Sequence, residues 1–239
     1  MSRPFSVIGI SLLLASLILV MSFIRFIHIL SPLVALLAGI YSFGFLDQKL
    51  KLLFYYAFTG FCTEILVWLL LKAGVKNNTP GLHFYIMFEF LVWAIFYAAC
   101  LRGFVRRKYI WAGVVLFELY CVANFVFVQD LNSYPYTRTV EDLLMISLSV
   151  LLFLKIMVDA KIEKLTRSPL IWINMAVLLY FAGNFFYNIV FVHMLVVDRI
   201  FLKTTALYIF GLFNFLFYSG IAAGFLLQAY NAKRMPELI

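Results

Sequence analysis

Eight apolar stretches, most of them close to 20 residues long, follow one another along the chain with only short polar or charged links between them. A helix needs about 20 apolar residues to cross the hydrocarbon core of a bilayer. The candidate segments are Phe5 to Phe23, Ile27 to Phe45, Leu52 to Leu71, His83 to Leu101, Tyr109 to Val128, Leu143 to Val158, Ile171 to Met194 and Thr204 to Leu227. The links leave no room for an extramembrane domain. The expected architecture is all-α, a multi-pass transmembrane helix bundle forming one integral membrane domain over 1–239. It comprises a seven-helix core in 25–239 and an accessory N-terminal apolar segment in 1–24.

Composition agrees with that reading. Apolar residues make up 65% of the 239 and charged residues 13%, and the mean hydropathy is +1.02. A soluble domain averages about half apolar and a quarter charged residues. A net charge of +8 would suggest nucleic acid in a soluble protein, but here the basic residues sort by connection, and no nucleic-acid partner is expected. Thirteen of the 19 fall on the N-terminus and alternate links: Arg3, Lys49, Lys51, the group from Arg102 to Lys108, the group from Lys155 to Arg167, Lys233 and Arg234. The other six are Arg25, Lys72, Lys76, Arg138, Arg199 and Lys203. Because cytoplasmic loops carry the excess of Lys and Arg, the first set is expected in the cytoplasm. The C-terminus is then cytoplasmic, and the connections near Lys76, Tyr134 and Asp198 lie outside.

The beginning of the chain admits two readings. Met1-Ser-Arg-Pro4 precedes an apolar run longer than the ~7 to 15 residues of a signal-peptide core, and no small-x-small cleavage site follows. Little polar sequence separates Phe23 from Leu33, and Ser31-Pro32 is expected to kink or start a helix, since proline cannot donate its amide. Either Phe5 to Phe23 is an eighth helix, or translation starts at Met21 and seven helices remain. Seven core helices with an accessory segment is the preferred count.

Glu64, Glu89 and Glu118 stand well inside apolar segments, where a charge costs several kcal/mol and such residues usually face the bundle interior. At ~1.5 Å per residue, Glu64 and Glu89 lie roughly 10 and 9 Å below the same outer surface. They are expected to share a depth, with Glu118 nearer the midplane as the floor of an outward-facing cavity. Burial disfavours the ionised carboxyl, so Glu64 and Glu89 are expected to be protonated or to share a proton. Each begins the same local string, Glu64-Ile-Leu-Val-Trp68 and Glu89-Phe-Leu-Val-Trp93, which puts each tryptophan at i+4 on its glutamate's face. Five residues recur easily in a chain this rich in Leu, Val and Phe, and no internal repeat is inferred. Tyr180, Asn184 and Asn188 form one helical stripe at i, i+4, i+8, and Asn214 with Tyr218 could line the same cavity from the last helix. The competing reading is that these amides, carboxyls and hydroxyls only hydrogen-bond helices together.

Other signals are weaker. Cys62, Cys100 and Cys121 are an odd number within or at the end of apolar runs and indicate neither disulfides nor a paired-Cys zinc motif. His83 and His193 mark outer helix ends, but no two-His helical pair is present, so no metal site is expected. Most of the 27 Phe and 14 Tyr suit lipid-facing packing and interfacial belts. No lysine sits mid-way along the last helix, which disfavours retinal, and no cofactor is expected. Arg102, Arg106, Arg107 and Lys108, and again Lys155, Lys161, Lys164 and Arg167, are expected at anionic lipid headgroups, with docking of a cytoplasmic signalling protein as the alternative. No nucleophile and base or metal-ligand cluster can be assembled, and catalytic residues are not assigned.

Ser168-Pro-Leu-Ile-Trp-Ile-Asn174, Leu179-Tyr-Phe-Ala-Gly-Asn184 and Glu64 after the paired-Lys connection resemble a largely uncharacterised group of small seven-helix inner-membrane proteins of Bacteroidetes-type bacteria. The resemblance runs from about Met21 to the C-terminus, while Phe5 to Val20 depart from it. It implies a seven-helix inner-membrane protein and, through an association of some members with sensor histidine kinases, a signalling role. The combined expectation is a sensor of a small ligand or proton that relays to a cytoplasmic partner. Its ligand-binding residues would be Glu64, Glu89, Glu118, Trp68, Trp93, Tyr180, Asn184, Asn188 and Asn214. The rivals are a proton-coupled transporter of a small solute, against which the lack of clear broken helices or inverted repeats argues, and an intramembrane lipid-modifying enzyme.

Overall fold

A computed structural model of the chain describes residues 27–75, 77–159, 165–194 and 199–234, and side chains within these except at 165, 190–194 and 199–207. The apolar segment Phe5 to Phe23 lies outside the described residues, as do Lys161, Lys164 and the side chain of His193. Seven helices follow in order among the described residues: α1 (Ile27–Phe45), α2 (Gln48–Lys72), α3 (Thr79–Cys100), α4 (Arg107–Ala123), α5 (Thr137–Asp159), α6 (Pro169–Met194) and α7 (Arg199–Arg234). All but α5 are long and apolar enough to cross a membrane. At 1.5 Å per residue the 23 residues of α5 measure about 34 Å, so it falls outside that group because of the charges it carries.

The helices overrun the apolar runs that betray them. α2 starts at Gln48, where the Asp47 carboxylate accepts the Leu50 amide at 2.9 Å, the usual N-cap bond. α3 starts at Thr79 with a proline in its first turn, where a missing amide proton costs nothing. α7 extends seven residues past Leu227. α1 runs through Ser31-Pro32 instead of starting there, and the Ser31 hydroxyl donates to the Ile27 carbonyl at 2.6 Å. The largest departure is α5, which begins at Thr137, six residues ahead of the apolar run Leu143 to Val158. Arg138 is therefore a buried helical residue, not a link residue on the outer surface, and removing it from the link count widens the basic asymmetry.

Cross-links tie the connections at each end. At the basic end the Lys155 ammonium donates to the carbonyls of Cys100 and Arg102 at 2.7 and 2.9 Å. There too Asn231 donates to the Arg167 carbonyl at 2.9 Å, and Lys233 to the Tyr41 hydroxyl at 3.1 Å. At the opposite end Asn77 bonds to Asn132, and the His83 ring nitrogen lies 3.1 Å from the Ser133 carbonyl. Successive helices thus cross from one end to the other.

α3 is the central helix. Of its apolar span 56% is buried, against 22% for α2 and 28% for α4, and it packs on α2, α4 and α5. Trp93, Phe96 and Tyr97 from α3 meet Phe181 of α6 and Phe217 and Phe225 of α7 in one fully buried aromatic core. The outward faces are just as apolar: Leu37, Leu116, Leu119, Met157 and Phe186 are all more than half exposed. Lipid tails solvate such side chains as well as a protein interior does, so close packing and interhelical hydrogen bonds carry association. α6 and α7 show the packing term. A methyl on Gly220 would overlap Ala176, and one on Gly224 would overlap Ile173; small residues at these points let the backbones approach.

This contrast sets opposite signs for one chemical change. Gly220→Ala should lower stability by about 1 to 3 kcal/mol through overpacking. Gly113→Ala on α4, where an added methyl meets nothing within 4 Å, should be neutral or stabilising by up to about 1 kcal/mol. Unfolding midpoints in detergent check the pair, and equal effects would contradict the proposed packing of α6 on α7.

Candidate functional site

The first turn of α5 carries the polar centre of the bundle. Pro135 and Tyr136 carbonyls accept the Arg138 and Thr139 amides at 3.3 and 3.2 Å, which starts the helix and stacks Arg138, Glu141 and Asp142 at i, i+3 and i+4 on one face. One nitrogen of the Arg138 guanidinium donates to Glu89 of α3 at 2.5 Å and to Glu141 at 2.8 Å. The other terminal nitrogen donates to the Tyr180 hydroxyl of α6 at 3.1 Å, and Nε lies 3.7 Å from Asp142. The guanidinium also lies over the Phe181 ring, 5.6 Å from its centroid.

Two further residues close the cluster. The Tyr56 hydroxyl of α2 donates to the second Glu89 oxygen at 2.5 Å. Asn188 of α6 donates to Asp142 at 2.8 Å and accepts from the Tyr134 hydroxyl at 3.1 Å, which ties in the α4–α5 connection. Burial is nearly complete: Glu141 and Asp142 are 0% exposed, Glu89 1% and Arg138 6%. Carboxylates withdrawn from water to this degree require partners, yet one guanidinium serves three carboxyls. Glu141 Oε1 and Asp142 Oδ1 have no hydrogen-bond partner among the described residues.

Two more polar layers lie further along α5. Ser149 and Asn174 exchange side-chain-to-backbone bonds at 3.2 and 2.9 Å, and the Tyr97 hydroxyl donates to Asn174 at 2.8 Å, joining α3, α5 and α6. Lys155 then holds the end of α3 through the two carbonyls described above. α5 is thus tied to its neighbours at three depths.

The residues singled out from sequence divide in two. Glu89, Tyr180 and Asn188 meet at Arg138 and Asp142, and Trp93 is buried against Tyr56, with ring centroids 5.5 Å apart. Asn184, one turn from both Tyr180 and Asn188, is fully buried with neither amide atom bonded among the described residues. Glu64, Glu118 and Asn214 are half-buried at separate places, and Trp68 is 41% exposed beneath the Lys72 ammonium at 3.8 Å. The matching strings on α2 and α3 therefore have different fates. The buried face of α2 runs Leu50, Leu53, Tyr56, Ala57, Gly60 and stops, one turn short of Glu64, so Glu89 pairs with Tyr56 instead. Arg138, Glu141, Asp142 and Tyr56 are the cluster members that apolar-run counting passes over. Their signal was present as opposite charges at i+3 and i+4 just ahead of an apolar run.

Among the described residues no group of three His, Cys, Asp or Glu is arranged to hold a metal ion. No protein-family model, curated protein or solved structure matches the chain. Fold and site together define an all-helical bundle with membrane-length apolar helices, organised around a buried arginine–carboxylate cluster.

Arg138→Gln should cost about 3 to 5 kcal/mol, the loss expected when one partner of a buried ion pair is removed. Glu64→Gln should stay within about 0.5 kcal/mol of the parent, as for positions away from such features. Denaturant unfolding in mixed micelles measures both, and similar values for the two would remove Arg138 from its central place.

Proposed function

We propose that the chain is a proton-responsive membrane sensor whose switch is the Arg138 cluster and whose output is the basic α3–α4 connection. The observation that carries this reading is the charge count in a buried site. With Glu89, Glu141 and Asp142 all ionised, Arg138 leaves two negative charges uncompensated, a state of high cost inside an apolar bundle. Protons on the carboxyls relieve it, and the cluster is thereby a store of exchangeable protons whose hydrogen-bond pattern depends on their number. The titratable groups facing it are Tyr56 from α2, Tyr85 from α3, Tyr180 from α6, Tyr218 from α7, Tyr134 from the α4–α5 connection and Cys121 from α4. All are neutral in their protonated forms, and none supplies a second cation.

The route to the other end is α5 itself. A change in the bonds of its first turn moves a helix whose far end is fastened by Lys155 to the carbonyls that open the α3–α4 connection. That connection leads into Arg106, Arg107 and Lys108, a basic surface suited to anionic lipid and to an acidic cytoplasmic signalling partner. The excess of Lys and Arg at this end supports a cytoplasmic placement by the positive-inside rule. The resemblance to the seven-helix inner-membrane group points to the same signalling role.

A proton-coupled transporter is the second reading. It is favoured by Asn184, a buried and unbonded amide on the stripe between Tyr180 and Asn188. Proton or solute flux in proteoliposomes would separate it from a sensor.

The sensor reading predicts a pH-dependent distance between spin labels at positions 104 and 157 in a Cys62→Ser background. An infrared band of protonated carboxyl should change over the same pH range. Glu141→Gln combined with Asp142→Asn should abolish both changes while the fold persists. A label distance and carboxyl band that stay constant across pH in the parent protein would contradict the reading.

A further inference from the structure

At the basic end, the end of α1, the start of α6 and the end of α7 border an open groove of 580 Å³. Its floor is apolar, from Ala223, Leu226 and Leu227, and its walls carry Tyr41 and Trp172. Lys233 stands at its edge, 3.1 Å from the Tyr41 hydroxyl and over the rings of Tyr41 and Phe45 at 4.9 and 5.3 Å. Trp172 is held in place by its indole N–H, which donates to the Thr166 carbonyl at 2.9 Å. Arg234 flanks the groove over the Tyr230 ring at 4.7 Å, and the exposed Arg167 follows Thr166.

This is an amphipathic site with one sign of charge. Among the described residues its lining contains no carboxylate and one ammonium, and two guanidinium-bearing residues stand beside it. Tryptophan and tyrosine at a helix end mark the depth of lipid headgroups, and basic pockets between helix ends are suited to anionic headgroups. The volume lies within the range of pockets that hold small ligands. The Arg102 to Lys108 surface is a different place, because its basic side chains are exposed around a connection and none of them lines this groove.

We infer that this groove binds one anionic phospholipid of the surrounding bilayer. The phosphate sits at Lys233 within reach of Arg234, and an acyl chain lies along Leu226 and Leu227 between Tyr41 and Trp172. Among the described residues Lys233 is held by neutral aromatic groups instead of by a carboxylate, which leaves its charge to the headgroup. The inference is independent of the Arg138 cluster, which lies toward the opposite end of α5.

Native mass spectrometry of the full chain, released from micelles containing phosphatidylglycerol or phosphatidylethanolamine, tests it. One phosphatidylglycerol should survive activation that strips the other lipids, and phosphatidylethanolamine should not. Lys233→Gln should weaken that retention about fivefold, the worth of one basic residue at a lipid surface, and Trp172→Ala should weaken it further. Lys72→Gln, which removes an exposed cation at the opposite end, should leave it unchanged. Unaltered unfolding midpoints of the lipid-free variants would tie the loss to the groove. Equal retention of both lipids, or an equal loss in Lys72→Gln, would overturn the inference.

Discussion

The buried carboxylates at the start of α5 and on α3 are arranged around a single guanidinium. Arg138 is withdrawn from water and bonded at once to α3, to its own helix and to α6, and a buried charge must be satisfied in full or it destabilises whatever surrounds it. That demand fixes rotation and depth in a structure whose apolar faces would otherwise slide. Leucine and phenylalanine are indifferent to whether they touch lipid or another helix, so an apolar surface alone specifies neither register nor partner. The carboxylates and hydroxyls about Arg138 do specify them, since each has one geometry in which its bonds close.

The same demand explains why stability and a proton-linked function would reside in one place. An ion pair of one acid and one base would be a static peg. Three acids to one base leave the count unbalanced, and the sensor reading has protons restore the balance. Below the cluster, the Asn174–Ser149 exchange and the Lys155 bonds hold α5 to its neighbours. The helix is thus anchored at several depths, and the sensor reading places the adjustable bonds at its first turns.

The helix count, the alternating crossings and the identity of Glu89, Tyr180 and Asn188 as interior polar groups were legible in the sequence. They rest on run length and on helical spacing, which survive packing. The start of α5 was not legible from hydropathy, because Arg138, Glu141 and Asp142 resemble a solvated link until a partner such as Glu89 is supplied from 49 residues away. Glu64 and Glu89 illustrate the converse. Their local strings match, and only the helix rotation set by Gly60 against the Tyr218 hydroxyl and by Tyr56 against Glu89 decides which one reaches the core. The aromatic groove beside Lys233 was likewise hidden, being assembled from three helix ends far apart in the chain.

The central claim is that Arg138 and Glu89 act as one unit joining α5 to α3. A double-mutant cycle of Arg138→Met and Glu89→Gln, read by reversible unfolding in lipid nanodiscs at neutral pH, tests it most directly. The account predicts a coupling well above the ~0.6 kcal/mol average of interhelical hydrogen bonds in membranes, with the double variant more stable than the sum of the single losses implies. Additive losses, with no coupling beyond about 0.5 kcal/mol, would contradict it.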